Sequence, residues 1–263
     1  MHTAGQSKPN LNTRSMPSGG AAAVCVASVI IPTYKEAPNI APLLASLQEV
    51  RARSGLDLDV WLMDDRSHDG TREEVESTGM PWVHLVERDG TRGLSPAVLD
   101  GIAASSGRRI VVMDADLSHP AATIPALLAA LDAGTDFAIG SRYVRGASTD
   151  DKWGAFRRLN SKVATLLALP LARLQDPMSG FFAFDRALLG GAAALNPVGY
   201  KIGLEIIVKC RAQRITEIPI HFAERIAGRS KMSFRQQMLY LEHLRRLYAF
   251  KAGDRFVAVK PRR

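Results

Sequence analysis

From about residue 26 to residue 141, short apolar runs alternate with helix-period segments, a pattern that leaves few folds open. VASVII, DLDVWLM, PWVHLVE, RRIVVM and DFAIGS read as strands. Between them, APNIAPLLASLQEV, PAVLDGIAAS and IPALLAALDAG read as helices. Thr71 with Glu74 three residues on predicts a capping box for a further short helix. Ser95 and Pro96 predict an N-cap and a first helical residue, and Gly134 a helix end. Such alternation predicts an α/β fold with a doubly wound, mostly parallel, Rossmann-like sheet.

Sheets of this kind bind ligands beyond the carboxyl ends of their strands. The conspicuous polar residues gather there: Pro32, Tyr34 and Glu36 after one run, Asp64 and Asp65 after the next, then Asp114 and Asp116 in VVMDADLSHP. In a strand, Asp114 and Asp116 would point to one face, because the side-chain period is two. Neighbouring carboxylates repel unless a cation or a shared proton offsets the charge, so the pair invites a divalent metal with oxygen ligands.

The chain of 263 residues is long enough to bury a full core, and no run of about 20 apolar residues is present to span a membrane. Two cysteines, Cys25 and Cys210, match no metal spacing and predict a reducing compartment. The uncharged stretch up to Ile31 is read as a strand rather than a signal peptide. Charge is uneven. From Val208 onward fourteen Lys and Arg face four acids, a balance of +10 that leaves −2 for the preceding residues of a chain totalling +8. A basic C-terminal third predicts an anionic partner. No nucleic-acid-binding motif is present, which turns the expectation away from nucleic acid.

The chain divides on composition into a disordered tail (1–22), a main domain (23–232), and an amphipathic helix with a basic tail (233–263). RRLNSKVATLLALPLARL is basic, then apolar, with Pro170 limiting helix continuity, while FFAFDRALL and ITEIPIHFAE return to the sheet. In FRQQMLYLEHLRRLYAF, helical spacing puts Phe234, Met238, Leu241, Leu244 and Tyr248 on one side and Arg235, Glu242 and Arg246 on the other. That face either packs on the domain or lies in a membrane interface.

VIIPTYKEAPNI, DDRSHDGT, DADLSHP, GSRYV, DPMSGFFAF and RIAGRSKM occur in the order found in dolichyl-phosphate (polyprenyl-phosphate) mannose synthases, which the chain resembles from about Ser28 to Met232. These belong to the inverting glycosyltransferase family 2, with the GT-A fold. The resemblance implies a nucleotide-sugar donor, usually GDP-mannose, a polyprenyl phosphate acceptor, and Mg²⁺ or Mn²⁺. By matching positions, Pro32, Tyr34, Glu36 and Asp65 would hold the nucleoside. Asp114 and Asp116 would take the metal, with the Ala115 backbone near the ribose or diphosphate, and Arg142, Arg225 and Lys231 would face phosphates. Ser118 stands where some members have a Gln metal ligand, so ligation there would be weaker or pass through water. Arg66 replaces the usual small residue, which bears on base selectivity.

An acceptor phosphate is already anionic near pH 7, so the implied transfer needs no strong general base, and Asp116 and Arg142 are the residues expected to carry catalysis. His68 and His119 are expected to support turns or neighbouring groups. Arg157 and Ser161 read either as capture of the acceptor phosphate or as a solvated basic helix start. Glu205 is expected in an ion pair or loop contact, and Asp176 either in a turn or facing the site. The expected setting is the cytoplasmic side, peripheral on the membrane face, with room for a separate membrane partner subunit. A polyprenyl-phosphate glucosyltransferase stays open. A phosphohydrolase would need a later GDxxxD-type motif, which is missing, and the retained Asp114, Asp116, Arg142 and Lys231 argue against a binder without catalysis.

Overall fold

Val29 and Ile31 enter one apolar core and Ile30 enters another, so the first strand already separates two layers on opposite faces of a sheet. The computed structural model describes residues 27–150, 155–191, 195–196, 198–223 and 234–258. The sheet is built from β1 (Ala27–Thr33), β2 (Leu58–Asp64), β3 (Val83–Glu87), β4 (Arg109–Val112), β5 (Phe137–Ser141), β7 (Phe182–Asp185) and β8 (Ile215–Pro219). Their spatial order is β3-β2-β1-β4-β7-β5-β8. All neighbours are parallel except β7, which runs antiparallel between β4 and β5. A short ribbon pairs β6 (Ser148–Thr149) with β9 (His221–Phe222). The predicted strands are all found, and the mostly parallel sheet matches the expectation.

Helices α1 (Ala37–Ser54), α2 (Thr71–Ser77) and α4 (Ile124–Asp132) give Leu43, Leu44, Leu47, Val75, Leu127 and Leu128 to the first core. The second core takes Val98 and Ile102 from α3 (Leu94–Ala104), and Leu204 and Ile206 from α6 (Ile202–Lys209). Ala168 of α5 (Ala155–Ala168) and Leu244 and Leu247 of α7 (Phe234–Ala258) complete it. Gly101 lets α3 lie close on the sheet: a Cβ there would sit 2.4 Å from Ile30 Cγ2.

Two helix starts differ from the sequence reading. Thr71 is the first residue of α2 and not its cap; its hydroxyl donates to Asp69 Oδ1 at 2.7 Å, and Asp69 also accepts the Thr71 and Ala37 N–H groups. Asp69 thereby serves the starts of both α1 and α2, and Gly70 (φ 98°) makes the turn between. Ser95 lies inside the first turn of α3, fully buried, with Gly93 as the cap residue.

The structure divides the apolar side of α7, which the sequence left between packing and a membrane interface. Its packed side is Tyr240, His243, Leu244 and Leu247, whereas Met238, Leu241 and Tyr248 are exposed. A buried histidine rotates the face: His243 Nε2 lies 3.1 Å from Glu205 Oε2. Glu205 also meets Lys209 Nζ at 2.6 Å and accepts the Asn196 N–H at 2.7 Å. Burial would push this carboxyl up, but the bonds to His243, Lys209 and Asn196 outweigh it and hold Glu205 below the usual carboxylate range. Apolar periodicity cannot register such a polar anchor. Residues 1–22 lie outside the described residues. Among the described residues no helix is long and apolar enough to cross a membrane.

Candidate active site

The strand β4 ends at Val112, and Asp114 to His119 form a turn that starts beyond the sheet ladder. Asp114 and Asp116 therefore do not share a strand face as the alternation argument expected. Leu117, at φ 63°, reverses the chain so that the Ser118 N–H donates to Asp116 Oδ1 at 3.1 Å. The Ser118 hydroxyl donates to the same oxygen. Ser118 is fully buried and Asp116 nearly so, whereas Asp114 is partly open. Ser118, expected as a third metal ligand, thus orients the Asp116 carboxylate in this structure.

His119 supports the turn from below. Its Nδ1 accepts the Asp114 N–H at 3.0 Å, and its ring stacks on Phe181 with centroids 5.2 Å apart. Burial pushes the imidazole below its usual range against the pull of Asp114, so the ring is neutral and Nδ1 is the acceptor. That is the supporting role expected for it. His68, by contrast, sits exposed at φ 49° in the turn after β2.

The ends of β1 and β2 form the other flank. Pro32 pairs in register with Met63, and Lys35 (φ 60°) turns the chain so that its N–H donates to Ser67 Oγ at 2.8 Å. Ser67 in turn donates its N–H at 2.8 Å and its hydroxyl to Asp64. Glu36 accepts the amide of buried Asn39 at 2.6 Å, and the Tyr34 ring has Lys35 and Arg92 each 5.6 Å from its centre. Asp65 is buried and gripped on both oxygens, by the Arg88 guanidinium and by the Gly93 N–H at 2.8 Å. These bonds tie β2 to the start of α3. Arg66 (φ 56°) turns outward to pair with Asp89.

The third flank follows β5. Arg142 donates Nε and Nη2 to the two oxygens of Asp176 at 2.7 Å each, and its backbone N–H to Oδ2 at 3.0 Å. Asp176 is fully buried, and Glu217 on β8 brackets it by accepting the Gln175 and Asp176 N–H groups, both at 2.9 Å. Burial alone would lower the Arg142 pKa, but Asp176 outweighs it, and the guanidinium stays charged. The sequence reading left Asp176 between a turn and the site; the structure puts it on Arg142. Sequence reasoning missed Arg88, Glu217 and Lys201. Only an acid or base within an otherwise apolar segment, as in ITEIPI and YKIGLE, could have signalled the last two.

Asp114 and Asp116 suit a hard cation: two carboxylates from one turn, with the remaining positions left to ligand oxygens and water. Gly180 borders Asp114: a Cβ added there would lie 3.4 Å from Asp114 Oδ1. Among the described residues no cluster of three or more His, Cys, Asp or Glu converges. Arg157 and Ser161 lie on α5, but their side chains fall outside the described residues, as do Arg225 and Lys231 altogether.

Comparison with known proteins bears on the family and the fold. The family model described as "Glycosyl transferase family 2" matches residues 28–190. "Dolichol-phosphate mannosyltransferase" of Pyrococcus furiosus is 40% identical over 236 residues, covering 88% of this chain and 66% of that protein. The protein of the same name from Saccharomyces cerevisiae is 38% identical, covering 86% of this chain and 88% of that protein. Among solved structures, mannosyl-3-phosphoglycerate synthase from Rubrobacter xylanophilus matches with TM-score 0.65 at 20% identity, covering 85% of this chain and 74% of that chain. Glucosyl-3-phosphoglycerate synthase from Mycobacterium tuberculosis, in complex with Mn²⁺, UDP and glucosyl-3-phosphoglycerate, matches with TM-score 0.62 at 20% identity, covering 85% and 79%. At this identity the two structures speak to the fold.

Proposed function

The chain belongs to glycosyl transferase family 2, and we propose that it moves a mannosyl group from GDP-mannose to a polyprenyl (dolichyl-type) monophosphate. The observation that carries this reading is the Asp114–Asp116 turn at the carboxyl end of β4, in a chain 38% to 40% identical to named dolichol-phosphate mannosyltransferases. The two solved synthases share the GT-A fold but are too distant to name the acceptor.

In this reading an oxygen of the acceptor monophosphate attacks the anomeric carbon while the bond from that carbon to the donor diphosphate breaks, with inversion. The attacking oxygen carries its own negative charge, so no side chain has to remove a proton. Asp114 and Asp116 would hold Mg²⁺ or Mn²⁺, and a cation bound there would offset the charge gathering on the leaving diphosphate. Ser118 holds the Asp116 carboxylate at its working angle, and His119 fixes the Asp114 backbone. Pro32, Tyr34 and Glu36 flank the place for the nucleoside. Arg142 supplies positive charge beside the transferred group, fixed by Asp176. Arg157 and Ser161 for the acceptor phosphate, and Arg225 and Lys231 for the donor, remain part of the proposal from their motif positions.

The lipid acceptor requires a membrane, and the proposed setting is peripheral, on the cytoplasmic face. Support comes from an exposed apolar surface: Val163, Leu166, Leu167 and Leu169 of the α5 segment with Met238, Leu241 and Tyr248 of α7. The two helices are clasped together, Tyr240 and Tyr248 donating to the Ala164 and Leu167 carbonyls at 2.7 Å and Lys251 to Pro170 O at 2.7 Å. Exposed Lys162 and Arg173 flank the surface and suit anionic headgroups.

A panel of nucleotide sugars with Mn²⁺ and a short polyprenyl phosphate tests the reading by product mass. Mannosyl lipid from GDP-mannose is the expected product. Glucosyl lipid from UDP-glucose would make the protein a polyprenyl-phosphate glucosyltransferase, and sugar released without glycolipid would make it a hydrolase.

A further inference from the structure

Lys201 stands just before α6, where its ammonium feels the charges of Arg142, Asp176 and Asp114. It donates to the Met178 carbonyl at 2.6 Å and lies 4.2 Å from the centre of the Tyr200 ring. Met178 belongs to a segment with Asp176 at one end, gripping Arg142, and Gly180 at the other, where an added Cβ would come 3.4 Å from Asp114 Oδ1. One hydrogen bond therefore ties Lys201 to the loop that joins two flanks of the site.

Charge balance separates Lys201 from Arg142. The Arg142 guanidinium is offset by Asp176 through two side-chain hydrogen bonds. The acceptor that the Lys201 ammonium meets among the described residues is a neutral carbonyl, and an ammonium has three donors. Lys201 is half-buried, and withdrawing a cation partly from water beside another cation is costly unless an anion meets it. Burial, then the Arg142 charge, push Lys201 down to about 7. A basic group short of an anion, beside carboxylates suited to a cation, is matched by a phosphoryl oxygen.

We propose that Lys201 is a phosphate-binding residue of the transfer site, its ammonium donating to a phosphoryl oxygen beside Arg142 and the Asp114 turn. This rests on the transferase reading above. Two phosphoryl groups meet in that reaction, the donor diphosphate and the acceptor monophosphate, and their chemistry toward an ammonium is the same.

Calorimetry on the full chain with Mn²⁺ separates the two sources, with Lys201→Met and Lys201→Arg beside the wild type. One arm compares GDP with guanosine; the other compares farnesyl phosphate with farnesol on GDP-loaded protein. A charge-assisted contact predicts that Lys201→Met weakens one phosphorylated ligand about tenfold or more, leaves its unphosphorylated partner unchanged, and is largely rescued by Lys201→Arg. Loss on GDP assigns Lys201 to the donor, and loss on farnesyl phosphate assigns it to the acceptor. If Lys201→Met lowers the thermal midpoint while both phosphate advantages survive, Lys201 is only a strut for Met178 and the proposal falls. Wild-type turnover is read separately: phosphate binding without glycolipid from any nucleotide sugar would sink the transferase reading and leave the Lys201 result standing.

Discussion

Arg142 and Asp176 form a two-pronged salt bridge, Nε and Nη2 each 2.7 Å from a carboxylate oxygen, and the Arg142 N–H reinforces it at 3.0 Å. The pair joins the end of β5 to the loop before β7, so one flank of the site is held by a buried charge pair rather than by packing. Removing one partner strands the other charge. Asp176→Asn is predicted to lower unfolding stability by about 3 kcal/mol. Arg142→Met/Asp176→Asn should recover most of that stability, because no unpaired charge remains, yet stay inactive in glycolipid formation. Chemical denaturation and product assay read the two effects apart. Recovered transfer in the double variant would show the pair to be structural only.

The Ser118 hydroxyl and N–H both reach Asp116 Oδ1, so Ser118→Ala keeps one of two orienting bonds. Outer partners of this kind are worth about 10- to 100-fold in metal affinity. Mn²⁺ titration of Ser118→Ala should show weakening toward the lower end of that range, with the fold intact. Unchanged affinity would mean that Asp116 needs no such help.

His119 gives a pH signature. Its pKa is lowered by burial, so below about pH 6.5 the unfolded chain takes up a proton that the folded chain refuses. Stability is therefore full above that pH and falls as pH drops from 7 to 5, by at most about 1.4 kcal/mol per pH unit from this residue. His119→Asn keeps an acceptor for the Asp114 N–H but does not titrate. Its denaturation midpoint should change less over that range than the wild type's. Equal slopes would show His119 to titrate normally.

The apolar surface of α5 and α7 can be broken without touching the core. Leu166 is 66% exposed and Met238 50%, so Leu166→Glu/Met238→Glu should alter stability by no more than about 0.5 kcal/mol. Co-sedimentation with anionic vesicles should drop several-fold, while nucleotide binding is kept. Arg245 and Arg246 are poorer targets because both already pair with Glu242. Undiminished vesicle binding would place the lipid contact elsewhere or with a membrane subunit.

What was legible in the sequence was whatever follows from local pattern. Alternating runs located the strands, and the turn after β4 announced itself through Asp114 and Asp116. What resisted reading depends on partners far apart in the chain. Asp65 was read only as a nucleoside contact, and its bonds to Arg88 and Gly93, 23 and 28 residues away, were not foreseen. Lys201 reads as an ordinary helix start until the fold brings Met178 to it, 23 residues back. The sequence left the apolar side of α7 between packing and a membrane interface, and it could not show that the packed side is anchored by His243 on Glu205, 38 residues away.

The central claim is that the Asp114–Asp116 turn works through charge, holding a divalent cation for glycosyl transfer. Asp116 is buried and accepts two bonds from Ser118, so Ala would confound loss of charge with loss of those bonds. Asp116→Asn keeps an acceptor oxygen and removes the charge. The direct measurement is mannosyl-lipid formation by Asp116→Asn and wild type from GDP-mannose and a short polyprenyl phosphate at saturating Mn²⁺, with thermal midpoints taken alongside. The account predicts a folded variant, with its midpoint within a few degrees of wild type, and turnover reduced at least about 100-fold. A folded Asp116→Asn protein that transfers mannose at near wild-type rate would contradict it.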